Sequence, residues 1–297
     1  MSGVRLIGFR PRGGSVLVGL HHAATAEVGV LATLEDFWTE PARWLSDPTV
    51  VDRTTRTLPV DEVEVVPPVL PSARVFCIGL NYQAHVDEGS YAGEGMPPHP
   101  TLFGRWAASL TVGGVGIPVP SSEDGLDWEG EVAAWVGAPL VDATPEDALR
   151  AVVGYSIFND VTARRAQKLT SQWTLGKNGD RTGPLGPLVP AAEVGDLRDG
   201  LQVVTRVNGT EVQRALTNQM AYDVGSTLSL ISHTLTLHPG DLLATGTPAG
   251  VGYTRTPPWL LQPGDEVEVE VERLGVLRNP VVTRDQQPAA PPAEVSR

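Results

Sequence analysis

DWEGEVAAWV, at residues 127–136, joins two closely spaced glutamates to an apolar run with β-strand character. Successive side chains of a strand point to opposite faces, so this pattern predicts that Glu129 and Glu131 share one face. Like charges side by side repel, and a buried pair persists only with a cation between them. Oxygen ligands suit a hard divalent ion such as Mg²⁺, Mn²⁺ or Ca²⁺. The alternative is a solvated strand face, where glutamates usually lie.

The composition indicates a large globular chain with an acidic surface. Its 297 residues suffice for one large domain, or for a small domain joined to a large one. Lys and Arg total 22 against 35 Asp and Glu, a net charge of -13, and no basic block occurs. This balance argues against a nucleic-acid partner or an anionic membrane surface.

Cysteine usage and the amino terminus bear on the cellular compartment. The single cysteine, Cys77, excludes an intrachain disulfide and every multi-cysteine zinc or iron–sulfur site. The first residues contain no apolar signal-peptide core, and no later run of about 18 apolar residues occurs. We therefore expect a cytoplasmic protein that does not span a membrane.

Glycine and proline divide the chain into many short strands. Apolar runs between residues 4 and 31, followed by a short amphipathic helix, predict a small α+β domain over residues 1–70. The proline-punctuated stretch 54–71 is typical of a linker or an edge strand. Residues 71–283 then form a β-rich main domain, and the low-complexity segment 284–297 is expected to be disordered.

A candidate general base lies at the start of the main domain. Residues 75–88 predict a strand that runs into a helical turn, on which His85 and Glu88 share a face because they are three residues apart. A carboxylate beside an imidazole orients the ring and raises its basicity, as a general base requires. The alternative is that both are bystanders on a helix surface. Residues 89–100, rich in glycine and proline, are expected to form a mobile loop.

Three later segments supply further candidates. The strand predicted at 151–158 ends in Asn159-Asp160, which places Asp160 suitably for a third metal carboxylate. Lys177 lies in a glycine-rich loop that is either structural or a wall of the substrate site. Thr247 lies in GTPAGVG after a strand, where its hydroxyl and the backbone N–H groups suit a substrate carboxylate. A tight structural turn is the alternative for that segment.

Two regular patterns carry no chemistry in this interpretation. Helical spacing of apolar residues predicts a long helix over Asn218–His233, with its apolar stripe in the core. Residues 266–272 alternate valine with glutamate, and we assign those glutamates to the solvated face of a strand.

Together these segments resemble the fumarylacetoacetate hydrolase family. The resemblance rests on GLNYQAHVDE, DWEGEVAAWVG, GYSIFNDVTARRAQ, Gly-Lys with GPLGP, VNG, HPGDLLATGTPAGVG and LGVLRNPV, in that order between about residues 75 and 282. It implies an α+β, β-rich fold, in which a mixed β-roll or sandwich follows a small α+β domain, and a homodimer. It also implies that Glu129, Glu131 and Asp160 bind Mg²⁺, or Mn²⁺ or Ca²⁺.

The resemblance implies roles for other side chains as well. His85 and Glu88 match the lid dyad of the family, and Lys177 matches its metal-site lysine. Thr247 matches the carboxylate-binding threonine, and Gln167 falls at a substrate-facing glutamine.

Two arginines depart from the family pattern. Arg105 precedes a Ser-Leu pair where many members carry a lysine and prolines, and Arg181 lies in an unusual Asn-Gly-Asp-Arg loop. Arginine recognises planar carboxylates differently from lysine, so we expect both side chains at an anionic substrate.

The leading hypothesis is a metal-dependent hydrolase of the carbon–carbon bond in a 2,4-dioxo acid such as an acylpyruvate or fumarylpyruvate. In it, His85 and Glu88 activate water, while the metal and Lys177 stabilise the departing enolate. The alternatives are decarboxylation of an oxaloacetate-type β-keto acid, isomerisation of a dienol diacid, and a non-catalytic metal- or ligand-binding protein. The presence of both dyad residues favours hydrolysis over decarboxylation.

Overall fold

Three β-sheets make up most of the computed structural model, which describes residues 4–22, 25–45, 54–89, 92–93 and 95–286. The strands are β1 (Leu6–Pro11), β2 (Leu17–His22), β3 (Glu27–Thr33), β4 (Thr57–Pro59), β5 (Val63–Val66), β6 (Val75–Gly79), β7 (Thr101–Arg105), β8 (Leu110–Val112), β9 (Ile117–Val119), β10 (Gly130–Val136), β11 (Val152–Asn159), β12 (Gly183–Leu185), β13 (Val189–Pro190), β14 (Gln202–Val207), β15 (Thr210–Leu216), β16 (Leu242–Ala244), β17 (Glu266–Val271) and β18 (Gly275–Thr283). The helices are α1 (Leu34–Thr39), α2 (Pro41–Leu45), α3 (Gln83–Glu88), α4 (Pro145–Arg150), α5 (Arg164–Gln167), α6 (Thr174–Lys177), α7 (Ala191–Val194) and α8 (Val224–Ser232).

The amino-terminal sheet is antiparallel, with the strand order β4-β3-β2-β1-β5. Strands β1, β2 and β3 confirm the short strands predicted near the amino terminus. The stretch 54–71 supplies both edge strands, β4 and β5, so the edge-strand interpretation is correct for this region. Helix α1 begins where the Thr33 hydroxyl accepts a hydrogen bond from the backbone N–H of Asp36.

This sheet packs against the main domain through two tryptophans. The Trp38 and Trp135 rings stack with centroids 5.1 Å apart and planes 18° from parallel. Each indole N–H is satisfied, because Trp38 donates to the Pro68 carbonyl at 2.7 Å and Trp135 to the Ser156 hydroxyl at 2.9 Å. The two units therefore share one apolar cluster.

The main domain is built from two sheets. One has the order β7-β6-β16-β10-β11-β12-β8, with β13 also paired to β11, and the other has the order β15-β14-β17-β18-β9. Neighbours are antiparallel except for β6 with β16, β8 with β12, and β9 with β18. The predicted β-rich α+β fold is confirmed. Among the described residues, no helix is both long enough and apolar enough to cross a bilayer.

Strand β10 lies at the centre of the larger sheet and is buried from end to end. Val132 and Val136 pack into one apolar cluster, while Ala133 and Trp135 on the opposite face pack into another. Because both faces are covered, the strand is a nearly continuous apolar run. The glutamates at its start are therefore interior, and the solvated-face alternative is wrong for them.

Two regular elements differ from their predicted form. The long helix predicted from Asn218 begins only at Val224, because the Asp223 carboxylate caps it by accepting from the Ser226 N–H at 2.9 Å. The glutamates of β17 are not simply solvated, since Glu268 and Glu270 each lie 2.7 Å from the Arg206 guanidinium of β14.

The carboxyl-terminal prediction falls largely beyond the described residues. Arg284–Gln286 form a short 3₁₀ turn, and residues 287–297 of the predicted tail lie outside the described part of the chain. In the predicted mobile loop, residues 90, 91 and 94 lie outside it as well.

Candidate metal centre and its cavity

Three buried carboxylates meet where β10 and β11 pair. Gly130 is in register with Asn159, and the Asp160 N–H donates to the Glu129 carbonyl at 2.9 Å. One carboxylate oxygen each of Glu129, Glu131 and Asp160 lies within 4.8 Å of the others. Strand pairing therefore gathers the three side chains that were predicted as metal ligands.

The next loop fixes the Glu131 carboxylate. Its Oε2 accepts a hydrogen bond from the Gly246 N–H at 2.9 Å. Gly246 has a φ of +88°, and a Cβ there would lie 2.8 Å from the Asn81 Cβ. Only glycine suits this position, so the predicted tight turn orients a carboxylate as well.

Three cations, namely Lys177, Arg164 and Arg105, surround the carboxylates and partly balance their charge. Lys177 Nζ lies 2.6 Å from both Glu129 Oε2 and Asp160 Oδ2, and Arg164 Nη2 lies 2.7 Å from Glu129 Oε1. Burial lowers the pKa of Lys177, but the Asp160 and Glu129 carboxylates outweigh it and raise that pKa above its usual value. The lysine is therefore charged at neutral pH.

The two glutamates differ in charge balance. Burial alone would raise the pKa of Glu129, but the Lys177 ammonium and the Arg164 guanidinium lower it to about 2. At Glu131, burial and then the Asp160 and Glu129 charges raise the pKa well above its usual value. Glu131 thus lacks a cation of its own. Three oxygen ligands with one unbalanced charge fit a hard divalent ion.

Arg105 lies elsewhere than expected. Its side chain is fully buried and ion-paired through Nε to Asp160, while Nη1 donates to the Thr182 hydroxyl at 3.1 Å and Nη2 to the Val161 carbonyl at 2.6 Å. Protein groups occupy every nitrogen of the guanidinium, so none is left for a substrate. This corrects the prediction of a substrate contact: Arg105 positions the Asp160 carboxylate from within the core.

We expect Arg105→Met to destabilise the metal-free fold by about 3 kcal/mol, because it leaves the buried Asp160 with one cation fewer. The measurement is the free energy of unfolding in urea. The control is Arg206→Met, whose partly exposed ion pair should contribute less than about 1 kcal/mol. Equal effects of the two substitutions would contradict a supporting role for Arg105.

The predicted His–Glu pair forms on helix α3. His85 Nδ1 lies 2.7 Å from Glu88 Oε1, and Glu88 Oε2 accepts from the Gly250 N–H at 2.8 Å and the Thr254 hydroxyl at 3.3 Å. Glu88 therefore anchors the helix to the 250–254 loop while it orients the imidazole. Both residues are largely buried, so they are not surface bystanders.

Asn81 holds the turn that precedes this helix. Its side-chain amide donates to the carbonyls of Tyr222 and Thr245 at 2.9 and 2.8 Å, and its Oδ1 accepts from the Tyr222 N–H at 2.8 Å. The side chain is fully buried. Asn81 thereby ties the turn between β6 and α3 to two other loops and fixes the position of His85.

A cavity of about 320 Å³ is lined by Glu129 of the carboxylate cluster and by His85 of the dyad. Gln167 lines it as expected, with Oε1 accepting from Arg164 Nη1 at 3.0 Å. The charged and titratable lining residues are His85, Glu129, Arg164, Lys168, Lys177 and Tyr253. The histidine, one carboxylate of the cluster and the lysine thus face one space large enough for a small dioxo acid.

Arg164 is a site residue that the sequence interpretation missed. It is buried, and its Nε donates to Asp127 Oδ2 at 2.8 Å. Its Nη2 forms a close ion pair with Glu129 without hydrogen-bond alignment, and its guanidinium lies 4.3 Å from the Tyr253 ring centroid. In the sequence, the one signal that separates Arg164 from the exposed Arg165 is its place four residues after Asp160, at the end of the preceding strand.

Asp127 connects Arg164 to the opposite loop. Its Oδ1 accepts from the Gly252 N–H at 2.6 Å, and its Oδ2 from the Tyr253 N–H at 3.1 Å. Burial raises the pKa of Asp127, and the Arg164 guanidinium opposes that rise. The carboxylate therefore stabilises the buried arginine and the backbone beneath the Tyr253 ring.

Two predicted substrate contacts lie outside the cavity lining. The Thr247 hydroxyl accepts from Gln213 Nε2 at 2.9 Å and donates to the Gly130 carbonyl at 3.1 Å, and Thr247 does not line the cavity. Arg181 follows α6 in a turn with a φ of +58° and is absent from the lining. The turn nevertheless places the Thr247 hydroxyl on the backbone between the two glutamates, and a substrate contact of Thr247 or Arg181 stays a prediction.

Known proteins share this architecture. The family model described as fumarylacetoacetate (FAA) hydrolase C-terminal matches residues 74–282. A mitochondrial oxaloacetate tautomerase of Homo sapiens is 38% identical over 228 residues, which cover 76% of this chain and 71% of that protein.

Solved structures agree with this match. A 2-hydroxyhepta-2,4-diene-1,7-dioate isomerase from Mycobacterium marinum has a TM-score of 0.74 at 31% identity, covering 95% of this chain and 99% of that chain. A fumarylpyruvate hydrolase from Pseudomonas aeruginosa, in complex with Mn²⁺ and pyruvate, has a TM-score of 0.65 at 32% identity, covering 74% and 92%. This chain belongs to the fumarylacetoacetate hydrolase family.

Proposed function

We propose that the protein is a divalent-metal-dependent hydrolase that cleaves the C3–C4 bond of a 2,4-dioxo acid of the acylpyruvate or fumarylpyruvate type. The observation that carries this proposal is His85, which is held by Glu88 and lines the same cavity as Glu129 and Lys177. Hydrolysis of such a bond requires a general base beside carboxylates that can bind a divalent metal ion.

Glu129, Glu131 and Asp160 would hold the ion, and Mg²⁺ or Mn²⁺ fits their oxygen donors, with Ca²⁺ as the alternative. When bound, a divalent ion polarises the oxo groups of the substrate and stabilises negative charge on an enolate. The relative solved with Mn²⁺ and pyruvate supports this assignment.

The chain's own residues supply the proton transfers. With Nδ1–H of His85 donating to Glu88, Nε2 carries the lone pair that accepts a proton from water. The resulting hydroxide attacks the C4 carbonyl carbon, and the C3–C4 electron pair departs to the pyruvate half. Lys177, whose charge is held by Glu129 and Asp160, stabilises the enolate oxygen. Return of the proton to C3 completes pyruvate, and the other product is a carboxylic acid.

The second candidate is proton transfer without hydrolysis, namely keto–enol tautomerisation of oxaloacetate or isomerisation of a dienol diacid. The same histidine would move a proton between carbon and oxygen, with no water consumed. The similarity to an oxaloacetate tautomerase and to a dienedioate isomerase favours this candidate over decarboxylation.

One substrate panel separates these functions. Acetylpyruvate, fumarylpyruvate and oxaloacetate are incubated with protein and Mg²⁺ or Mn²⁺, and products are followed by NMR together with the ultraviolet absorbance of the enol. We expect pyruvate with acetate, and pyruvate with fumarate. Pyruvate with CO₂ would identify a decarboxylase, and faster enol decay without cleavage a tautomerase. Metal binding without turnover of any substrate would leave only a binding function.

We also propose a homodimer, supported by an exposed apolar surface beside α6. Leu169 and Leu175, with exposed fractions of 71% and 64%, line one cavity together with Asn178. The Asn178 Oδ1 accepts a hydrogen bond from the backbone N–H of Trp106, which is also exposed. Contiguous apolar surface of this kind marks interaction sites. Light scattering after size exclusion should give twice the chain mass of 31.5 kDa, and a monomer at micromolar concentration would refute the dimer.

A further inference from the structure

Lys168 is the cation at the mouth of the cavity that has no carboxylate partner among the described residues. Lys177 is matched by Glu129 and Asp160, and Arg164 by Asp127 and Glu129. The Lys168 side chain is exposed and lines the same cavity. Its charge is therefore available to a ligand, whereas the other two are committed to the protein.

The local fold sets where this ammonium lies. The Lys168 N–H donates to the Arg164 carbonyl at 3.2 Å, so the two cationic side chains leave one face of the α5 turn. Lys168 Nζ lies 4.5 Å from the Tyr253 ring centroid, and the Arg164 guanidinium lies 4.3 Å from the same centroid. The two cations thus share one aromatic ring, and of the two it is Arg164 that is ion-paired to a metal carboxylate among the described residues.

The rest of the mouth is compatible with an anion. Thr170 and Ser171 also line the cavity and contribute hydroxyl groups, and among the described lining residues the one carboxylate is Glu129, which pairs with Lys177 and Arg164. A chain with a net charge of -13 repels a dianion at long range, so a dianionic substrate depends on local cations. Lys168 supplies the one that is still unpaired in the described cavity.

We propose that Lys168 binds the distal carboxylate of a dicarboxylate substrate and makes the enzyme selective for diacids over monoacids. This specificity rests on the hydrolase proposed above. The 2-oxo acid end lies at the carboxylate cluster with Lys177, and the far carboxylate reaches the Lys168 ammonium at the mouth. Fumarylpyruvate meets this requirement, whereas acetylpyruvate has no second carboxylate.

The test compares kcat/KM for fumarylpyruvate and acetylpyruvate in three variants. Lys168→Gln should lower the value for fumarylpyruvate about tenfold, as expected for loss of a charged hydrogen bond, and change that for acetylpyruvate less than about twofold. Lys168→Arg should keep most of the preference. The control Arg165→Gln alters a neighbouring exposed cation that pairs with Asp124 at 3.2 Å outside the cavity, and it should change neither value. Equal losses for both substrates, or none, would overturn the proposal.

A binding measurement separates this proposal from the hydrolase itself. Calorimetry with Mg²⁺ present compares 2-oxoglutarate, a dicarboxylate, with pyruvate, a monocarboxylate. Lys168→Gln should weaken 2-oxoglutarate binding about tenfold and leave pyruvate binding unchanged. If no dioxo acid is cleaved but this difference persists, the hydrolase fails and the diacid site stands. If cleavage occurs but the variant binds 2-oxoglutarate as tightly as the wild type does, the diacid site fails alone.

Discussion

Glu131→Gln should reduce Mn²⁺ or Mg²⁺ affinity by about a thousandfold, or about 4 kcal/mol, in calorimetry. The carboxylate lies with Glu129 and Asp160 in the cluster whose oxygens approach within 4.8 Å, and it is the member without a cation of its own. Glutamine keeps its shape and its acceptor for the Gly246 N–H, so the loss reports charge and not collapse. Metal affinity depends steeply on the number of charged ligands.

The matched control is Glu266→Gln. Glu266 also belongs to an alternating strand, but it is exposed, and its substitution should leave the metal affinity unchanged. Unchanged affinity in the Glu131 variant would refute the assignment of the cluster as a metal site. An equal loss in both variants would point to a general effect of removing negative charge.

The same Glu131 variant should be more stable than the wild type when no metal is present. Burial raises the pKa of Glu131 in the folded protein above that in the unfolded chain, which is about 4.3. The stability from the protonated form is therefore complete below about pH 4 and is lost as pH rises through the raised folded pKa. Glutamine does not ionise, so urea unfolding should favour the variant at pH 7, with a difference that shrinks toward pH 4. Saturating metal should reverse that order.

The strand that carries the glutamates was predictable because its pattern is local. The run from Val132 to Val136 is apolar throughout, as a strand covered on both faces requires, and period 2 places Glu129 with Glu131. The candidacy of Asp160 as a ligand was predictable as well, because this residue comes directly after a second apolar strand. What the pattern could not give was the pairing of Gly130 with Asn159, which brings that aspartate to the glutamates. Register between distant strands depends on the whole sheet.

The positions of the cations were harder to predict, because the sequence does not reveal whether an arginine approaches a carboxylate from the core or from the cavity. Arg105 and Arg164 both contact the cluster, yet the first is enclosed by Thr182 and Val161 and the second lines the cavity. Arg164 belongs to a four-residue helix, which is too short for hydrophobic periodicity to separate its buried face from the exposed Arg165. Helix α8 begins later than the apolar spacing predicts, because the Asp223 side chain caps its first turn.

His85→Ala should lower the rate of acylpyruvate hydrolysis by about 10²- to 10⁴-fold and leave metal affinity unchanged. The imidazole is the general base of the proposed reaction, and its Nδ1 is engaged by Glu88 at 2.7 Å, which leaves Nε2 to accept the proton from water. Single-turnover release of pyruvate, with metal saturating, measures the chemical step. The control His233→Ala alters an exposed histidine at the end of α8 and should have no effect.

Glu88→Gln distinguishes orientation of the imidazole from its presence. The amide retains the shape and an acceptor for the Gly250 N–H, but it loses the charge that stabilises the imidazolium. We expect a smaller loss of the cleavage rate than in the His85 variant, because the imidazole is kept while the charge beside it is removed. Full activity in the His85 variant would leave the dyad without a role in cleavage. If that variant loses enol decay while the wild type releases no pyruvate, the histidine serves proton transfer between carbon and oxygen, and the protein is a tautomerase.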